Sequence, residues 1–386
     1  MIKRKKIQDN ITEALNRGRI VSILGPRQCG KTTLARQFAE PGSSSYFDLE
    51  DPIDNAKLAE AQNALQNLKG TVVIDEVQRQ PELFPLLRVL ADRIPLPAKF
   101  LILGSASPSL IKQASESLAG RVERIRIGGF SLEEVGQKNV EQLWLRGGLP
   151  CSFLADSDKD AFIWLKEYIQ SFVERDLPLH GVSLPSVTLI RFWTMLAHYH
   201  GQIFNASEIA RSLGISIMTV NRYLDIMTGV FMIRQLQPWH ANIKKRQVKA
   251  PKIYFNDTGI LHALLGIQNR SDLLRHPKYG ASWEGFVLEE VIRAVEPHEV
   301  FFWATHQGAE IDLVFNKGGQ MYGVEIKRQD APRMTPSIKH ALEDLKLEGI
   351  AVIYPGQRRY SIHKQVDVVP FDEIQGGMKG LFGGKA

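Results

Sequence analysis

Cysteine is almost absent: Cys29 and Cys151 are the only two among 386 residues. Two cysteines make neither a disulfide framework nor a four-ligand zinc site. Long apolar runs are missing as well. No stretch approaches the roughly 18 consecutive apolar residues a membrane-crossing helix requires, so no membrane span is expected. The basic opening Met1-Ile-Lys-Arg-Lys-Lys6 leads into a polar segment, residues 7–13, rather than an apolar one, which excludes a secretory signal. The chain reads as cytoplasmic. Internal repeats and long low-complexity segments are also lacking.

What is present is the composition of an ordinary folded protein, 44% hydrophobic and 23% charged, which excludes wholesale disorder. At roughly 150 residues per domain the length suggests two or three domains, each able to bury its own core. The formal charge of +6 permits a polyanionic partner without establishing one.

In the first third, short apolar runs (residues 19–24, 46–49, 71–74, 99–103 and 124–127) alternate with helical spacing, including a helix expected over residues 31–40. Near-continuous apolar strands separated by helices predict an α/β fold with a parallel sheet covered on both faces. Gly147-Gly148-Leu-Pro150 marks a change of style. A helical stretch, residues 158–199, is interrupted at Leu177-Pro178 and Leu184-Pro185. A helix–turn–helix unit follows, and then a mixed α+β region with an alternating hairpin near its centre. The expected units are residues 1–135, 136–200, 201–256 and 257–386. The glycine-rich tail, residues 376–385, is expected to fray.

Gly25-Pro26-Arg27-Gln28-Cys29-Gly30-Lys31-Thr32 fits G-x-x-x-x-G-K-[ST] without a mismatch, between a buried-type strand and a helix. Such a loop turns consecutive main-chain N–H groups onto phosphate oxygens, and the helix start adds its positive end. Residues 25–33, Thr33 included, form the expected nucleotide cradle. Lys31 would neutralise the β- and γ-phosphates, and the Thr32 hydroxyl would ligate Mg²⁺. Val72-Val-Ile-Asp75-Glu76 ends a second strand in two carboxylates. Asp75 would hold the Mg²⁺ shell, and Glu76 would polarise a water for attack on the γ-phosphate. A base beside the metal ligand favours hydrolysis over phosphoryl transfer to a small molecule.

Two further residues carry open readings. Ser105 ends another buried strand, where its hydroxyl either senses the γ-phosphate or positions the attacking water, or else caps the helix after Pro108. Arg121, after Gly120, either completes a neighbouring subunit's site as a finger, which implies a homo-oligomeric ring or dimer, or is a solvated residue at a helix end.

These residues, with Tyr46-Phe-Asp-Leu-Glu-Asp-Pro52, resemble the AAA-type P-loop ATPases of bacteria and archaea, and more closely the subgroup with a C-terminal nuclease-like domain of unassigned role. The resemblance covers most of the chain. It implies that Gly25, Gly30, Lys31, Thr32, Asp75, Glu76 and Ser105 bind and hydrolyse ATP. A second sensor arginine, usual in that superfamily, is not found after residue 150.

Residues 207–213 and about 216–227 read as two helices joined at Gly214, the second burying Val220, Tyr223 or Leu224, and Met227. Such a unit reads DNA when its second helix enters the major groove. Strand-like residues 230–236 and 252–255 flank the basic stretch 243–249, which suggests a winged helix whose wing tracks phosphates. A lid or protein-docking module fits the same residues. DNA, branched or single-stranded forms included, is the expected partner class.

In the last third, residues 310–315 and 322–327 read as a hairpin joined by Asn316-Lys-Gly-Gly319. Period-two alternation sets Glu310 and Asp312 on one face and brings Glu325 and Lys327 to meet them. Three carboxylates and a lysine can then converge as a Mg²⁺ site, whereas an exposed charged face would look the same. Asp, a spacer and Glu-x-Lys resembles the PD-(D/E)xK nucleases. That resemblance implies metal binding at Asp312 and Glu325, assistance by Lys327 and a further carboxylate from Glu284, with Glu289 behind it. The leading reading is a Mg²⁺-dependent ATPase coupled to a nucleic-acid-associated rear module, and the alternative is an ATP-gated switch without nuclease activity. Cys29 reads as a small filler, and His198 and His200, two apart on a helix, share no face.

Overall fold

In the inner strands of the first sheet, successive apolar side chains enter two different cores, which is why they read as unbroken apolar runs. The computed structural model describes residues 2–105, 116–182, 184–239 and 249–383. The sheet comprises β1 (Ile20–Gly25), β2 (Tyr46–Asp48), β3 (Gly70–Asp75), β4 (Ala98–Ser105) and β5 (Val122–Arg126). Their order is β2-β3-β4-β1-β5, with every neighbouring pair parallel. Val21, Ile23, Val73, Leu101 and Leu103 face one core, where the Lys5–Arg17 helix adds Ile11 and Leu15. Ile20, Val72, Ile74, Phe100 and Ile102 face the other, closed by Leu83, Phe84 and Leu87 of the Leu83–Ala91 helix. This is the expected α/β architecture. The helix after the phosphate loop, however, spans only Lys31–Ala35, not residues 31–40. Gln37 and Phe38 donate back three residues, to Leu34 and Ala35, so the turn tightens and the α-helix ends.

The first core continues beyond residue 135. Leu165, Tyr168, Phe172, Trp193, Leu224 and Phe255 belong to the same cluster as Val21 and Leu101, so the helical middle packs directly on the ATPase-type sheet. The Asp158–Ser171 helix runs into a π-helical turn, Phe172–Asp176, and then into Leu177–Leu179 and Ser186–His198. The two-helix unit is Ala206–Leu213 and Ile217–Gly229, joined through Gly214 at φ 68°. Asn205 and Ser216 cap the two helices, and Val220, Tyr223, Leu224 and Met227 are buried. The following strand starts at Ile233 rather than 230 because Phe231 takes a left-handed φ of 61°, which an extended strand cannot include. Of the basic stretch expected to form a wing, residues 243–249, all but Lys249 lies outside the described residues.

A second sheet joins the middle and the rear. It contains β6 (Gln202–Ile203), β7 (Ile233–Pro238), β8 (Lys252–Phe255), β9 (Val300–Ala304), β10 (Glu310–Lys317), β11 (Gln320–Ile326), β12 (Gly349–Tyr354), β13 (Tyr360–His363) and β14 (Val366–Pro370). The order is β13-β14-β12-β11-β10-β9-β7-β8-β6. β7 pairs with β9 in parallel, Gln237 opposite Phe301, so one sheet crosses the boundary expected at 256/257. β10 and β11 form the expected hairpin, Leu313 opposite Val324, turned by Gly318-Gly319 with both φ positive. The described part of the tail, residues 376–383, is ordered, contrary to expectation. Its Gly377–Phe382 helix buries Leu381 and Phe382, and the Phe382 ring lies 4.6 Å from that of Tyr322. Apolar anchoring there outweighs the entropy of its glycines.

Candidate functional site

The parallel strands of the first sheet end together. Gly25 closes β1 opposite Ser105, the last residue of β4, and Asp75 closes β3 opposite Asp48. The loop after β1 turns through Gln28 at φ 59° and Gly30 at φ 96°, then enters the helix at Lys31. Lys31 is 5% exposed, and its ammonium donates to the carbonyls of Gly25 and Pro26 at 3.1 and 2.9 Å. Thr32 is half-buried and Thr33 is exposed. Cys29 is buried, and burial raises its thiol pKa, so it packs as a small filler rather than a nucleophile.

Asp75 is 1% exposed and accepts hydrogen bonds from the Thr32 hydroxyl, from Tyr46 Oη at 3.2 Å and from the Glu76 N–H at 2.9 Å. Burial raises its pKa, and the Thr32 and Glu76 hydrogen bonds oppose that rise. A threonine hydroxyl touching a carboxylate, both hard oxygen donors, suits Mg²⁺. Glu76 adopts a left-handed φ of 54°, a conformation costing about 1–3 kcal/mol for a non-glycine residue. Burial raises its pKa, the Lys31 charge pulls the other way, and the Gln78 amide donates to its carboxylate. The main chain of Ser105 adjoins Gly25, but residues 106–115, including Pro108 and its expected helix, lie outside the described residues. Arg121 precedes β5 at the opposite, amino ends of the strands and pairs with Asp92 through two bonds of 2.7 Å. It is not part of this chain's own phosphate site.

Sequence reasoning missed what surrounds the loop. Arg27 forms an ion pair with Asp176 of the π-helical turn at 3.0 Å, and Tyr168 Oη donates to the Arg27 carbonyl at 3.2 Å. From the other side, Arg4 donates to the Cys29 and Gly129 carbonyls at 3.0 and 3.1 Å and pairs with Glu134 at 2.6 Å. All these partners are remote in sequence and carry no local motif.

At the rear, Glu284 of the Tyr279–Val295 helix meets Asp312 and Glu310 of β10, as expected, but a lysine stands among them. Lys252 Nζ, on β8, lies 3.4 Å from Glu284 Oε1 and 3.7 Å from Asp312 Oδ1, and is paired with Glu310. Tyr254 Oη donates to Glu284 at 2.6 Å, and Asp312 Oδ2 accepts the Ile326 N–H at 2.8 Å. Lys327 pairs with Glu325 at 2.6 Å, leaving Glu325 Oε2 buried without a hydrogen bond. Burial, reinforced by Asp312, pushes the pKa of Glu284 up to about 7 and that of Glu325 up to about 8. Burial works against the Lys252 charge, but Tyr254 and the surrounding carboxylates outweigh it. Lys252 Nζ stands between Glu284, Glu310 and Asp312, so at that point the residues present do not fit the divalent ion that the nuclease resemblance implies. Glu289, the reserve candidate, pairs with Arg234 at 2.5 Å. His200 lies beyond the Ser186–His198 helix, where its Nδ1 accepts the Phe255 N–H at 3.0 Å.

Residues 17–136 match a family model described as an AAA domain. Residues 137–271 and 279–374 match two models, each described as a domain of unknown function (DUF8612 and DUF4143). The first of these spans what was expected as two units, 136–200 and 201–256. The uncharacterized proteins Mb2031c of Mycobacterium bovis and Rv2008c of Mycobacterium tuberculosis are each 50% identical over 374 residues, 97% of this chain and 85% of theirs. The chain belongs to their family. Its amino-terminal part is a P-loop AAA-type ATPase domain, by the family match and by the loop and parallel sheet described above. The Walker-type ATPase PABY2304 of Pyrococcus abyssi is 15% identical with a TM-score of 0.44, over 69% of this chain and 96% of that one. No helix among the described residues is long and apolar enough to cross a membrane.

Proposed function

We propose that the protein binds ATP with Mg²⁺ on residues 25–33, hydrolyses it, and uses the nucleotide cycle to reset the contact between the phosphate loop and the helical middle. The phosphate loop that follows β1, with Lys31 buried in it and Asp75 buried at the same carboxyl edge of the parallel sheet, carries this reading. Loop N–H groups would bind the β- and γ-phosphates, and Lys31 would exchange the Gly25 and Pro26 carbonyls for phosphate oxygens. Thr32 and Asp75 would hold the metal ion, whose charge draws electron density from the phosphates when bound. Glu76, its basicity raised by burial, would accept a proton from water as the water oxygen bonds to the γ-phosphorus and the bond to the bridging oxygen breaks, leaving ADP and phosphate. Ser105 is assigned to positioning that water.

For the rear of the molecule, the switch reading has more support than nuclease chemistry. The loop is tied to the helical middle through Arg27–Asp176, and the middle shares a sheet with the rear, so a mechanical path exists without any cleavage step. Nucleic acid remains the partner class assigned to the two-helix unit. ATP turnover with and without duplex, branched and single-stranded DNA, run beside a cleavage gel, tests both readings. Turnover should vanish in Lys31→Ala, and undiminished turnover in that variant would reject the ATPase reading. DNA-stimulated turnover without scission supports the switch, and scission lost in Asp312→Asn would replace it.

A further inference from the structure

Resemblance to the PD-(D/E)xK nucleases implies a divalent ion among Glu284, Asp312 and Glu325, and the side chains around them argue otherwise. We infer that Lys252 is the built-in cation of this cluster: its ammonium stands where a divalent ion would, and the cluster fastens β8 to β10 and the Tyr279–Val295 helix instead of cutting phosphodiesters. Lys252 extends from β8, its Nζ 5.7 Å from the centre of the Phe302 ring on β9. It ends against three carboxylates from two other elements, Glu284, Glu310 and Asp312. Its side chain is only 4% exposed. A buried ammonium in that position excludes a divalent cation by repulsion and by occupying the space, while pairing with Glu284, Glu310 and Asp312; Glu325, the other carboxylate of the resemblance, is paired with Lys327 instead. Tyr254, two residues along the same strand and on the same face, donates to Glu284, so both polar side chains of β8 serve this junction. The second lysine, Lys327, is held by Glu325 on the neighbouring hairpin strand.

The arrangement gives the cluster a joining role. β8 pairs with β7 along its whole length, whereas β7 joins β9 only at Gln237–Phe301 and Pro238–Phe302, the junction of the two sheet halves. The lysine adds a charged tie across that junction. This inference does not rest on ATP binding, and its test uses no nucleotide.

The full chain is titrated with Mn²⁺ and free ion is followed by electron paramagnetic resonance. Wild type and Asp312→Asn should give superimposable curves. Lys252→Met, a near-isosteric loss of charge, should gain Mn²⁺ binding that disappears again in the Lys252→Met/Asp312→Asn double variant. Wild-type Mn²⁺ binding that is lost in Asp312→Asn overturns the inference, and this comparison decides even where Lys252→Met does not fold. A folded Lys252→Met that gains no Mn²⁺ binding overturns it as well.

Discussion

Arg27 in the phosphate loop and Asp176 in the π-helical turn lie 149 positions apart in sequence, yet their side chains meet at 3.0 Å. Both are partly shielded, and the Arg27 carbonyl also receives the Tyr168 hydroxyl. A loop that must close on phosphates is thus held from outside by a second module, at a helix segment whose π geometry often marks function. Nucleotide binding changes the loop's charge, and this pair is where the helical module would register it.

Asp176→Asn is expected to cost about 1.5–3 kcal/mol, the range for losing a hydrogen bond to a charged group. A double-mutant cycle with Arg27→Gln, measured by urea denaturation, should give a coupling energy that changes when ATP is added. The same coupling with and without ATP would make the pair a static brace.

Glu76→Gln keeps the shape of the side chain but removes its basicity. Turnover should fall by about 10²- to 10⁴-fold, the usual contribution of a general base, while ATP binding persists. Single-turnover kinetics beside a fluorescent-nucleotide binding assay separates the two. Loss of binding in step with turnover would assign Glu76 to holding the loop instead.

The phosphate site was legible because its signal is local. Gly25, Gly30, Lys31 and Thr32 fall within eight consecutive residues, and Asp75-Glu76 end one apolar strand. The β10–β11 hairpin was legible for the same reason, its alternation and glycine turn lying in one short window. Lys252 was not, since it meets Glu284 from 32 residues away and nothing in its own strand announces a charge to be buried. Arg27–Asp176 and Arg4–Glu134 were hidden likewise. The tail misled in the opposite sense: glycine content suggested fraying, whereas two side chains, Leu381 and Phe382, decide its order by burial.

Stability should depend on pH through the rear cluster. The folded-state pKa values of Glu284 and Glu325 are raised from 4.5 to about 7 and about 8, so their protonated forms favour the fold. That contribution is complete below about pH 4.5 and is lost as pH rises through 7 and 8. Glu325→Gln, which cannot ionise, should therefore lose less stability than wild type between pH 6 and pH 9 in denaturant titrations. Parallel curves for the two proteins would place the ionisation of Glu325 elsewhere.

Helix Tyr279–Val295 contains its own control for the packing beside this cluster. A Cβ added at Gly285 would collide with His200 Nε2, and it would lie 3.3 Å from Tyr254 Cδ1, whereas one added at Gly280 meets nothing within 4 Å. Both changes to alanine bring a similar helix propensity, about 1 kcal/mol in favour of the helix. Gly280→Ala should therefore be neutral or mildly stabilising. Gly285→Ala should be destabilised by about 1–3 kcal/mol, the range for overpacking a full site. His200 cannot simply withdraw, because its Nδ1 accepts the Phe255 N–H at the end of β8. Adding His200→Ala should relieve the collision, so the double variant should be more stable than the two single losses summed. Additive losses, read from thermal melts of all four proteins, would mean that the helix shifts away from His200 and the junction between helix and β8 is soft.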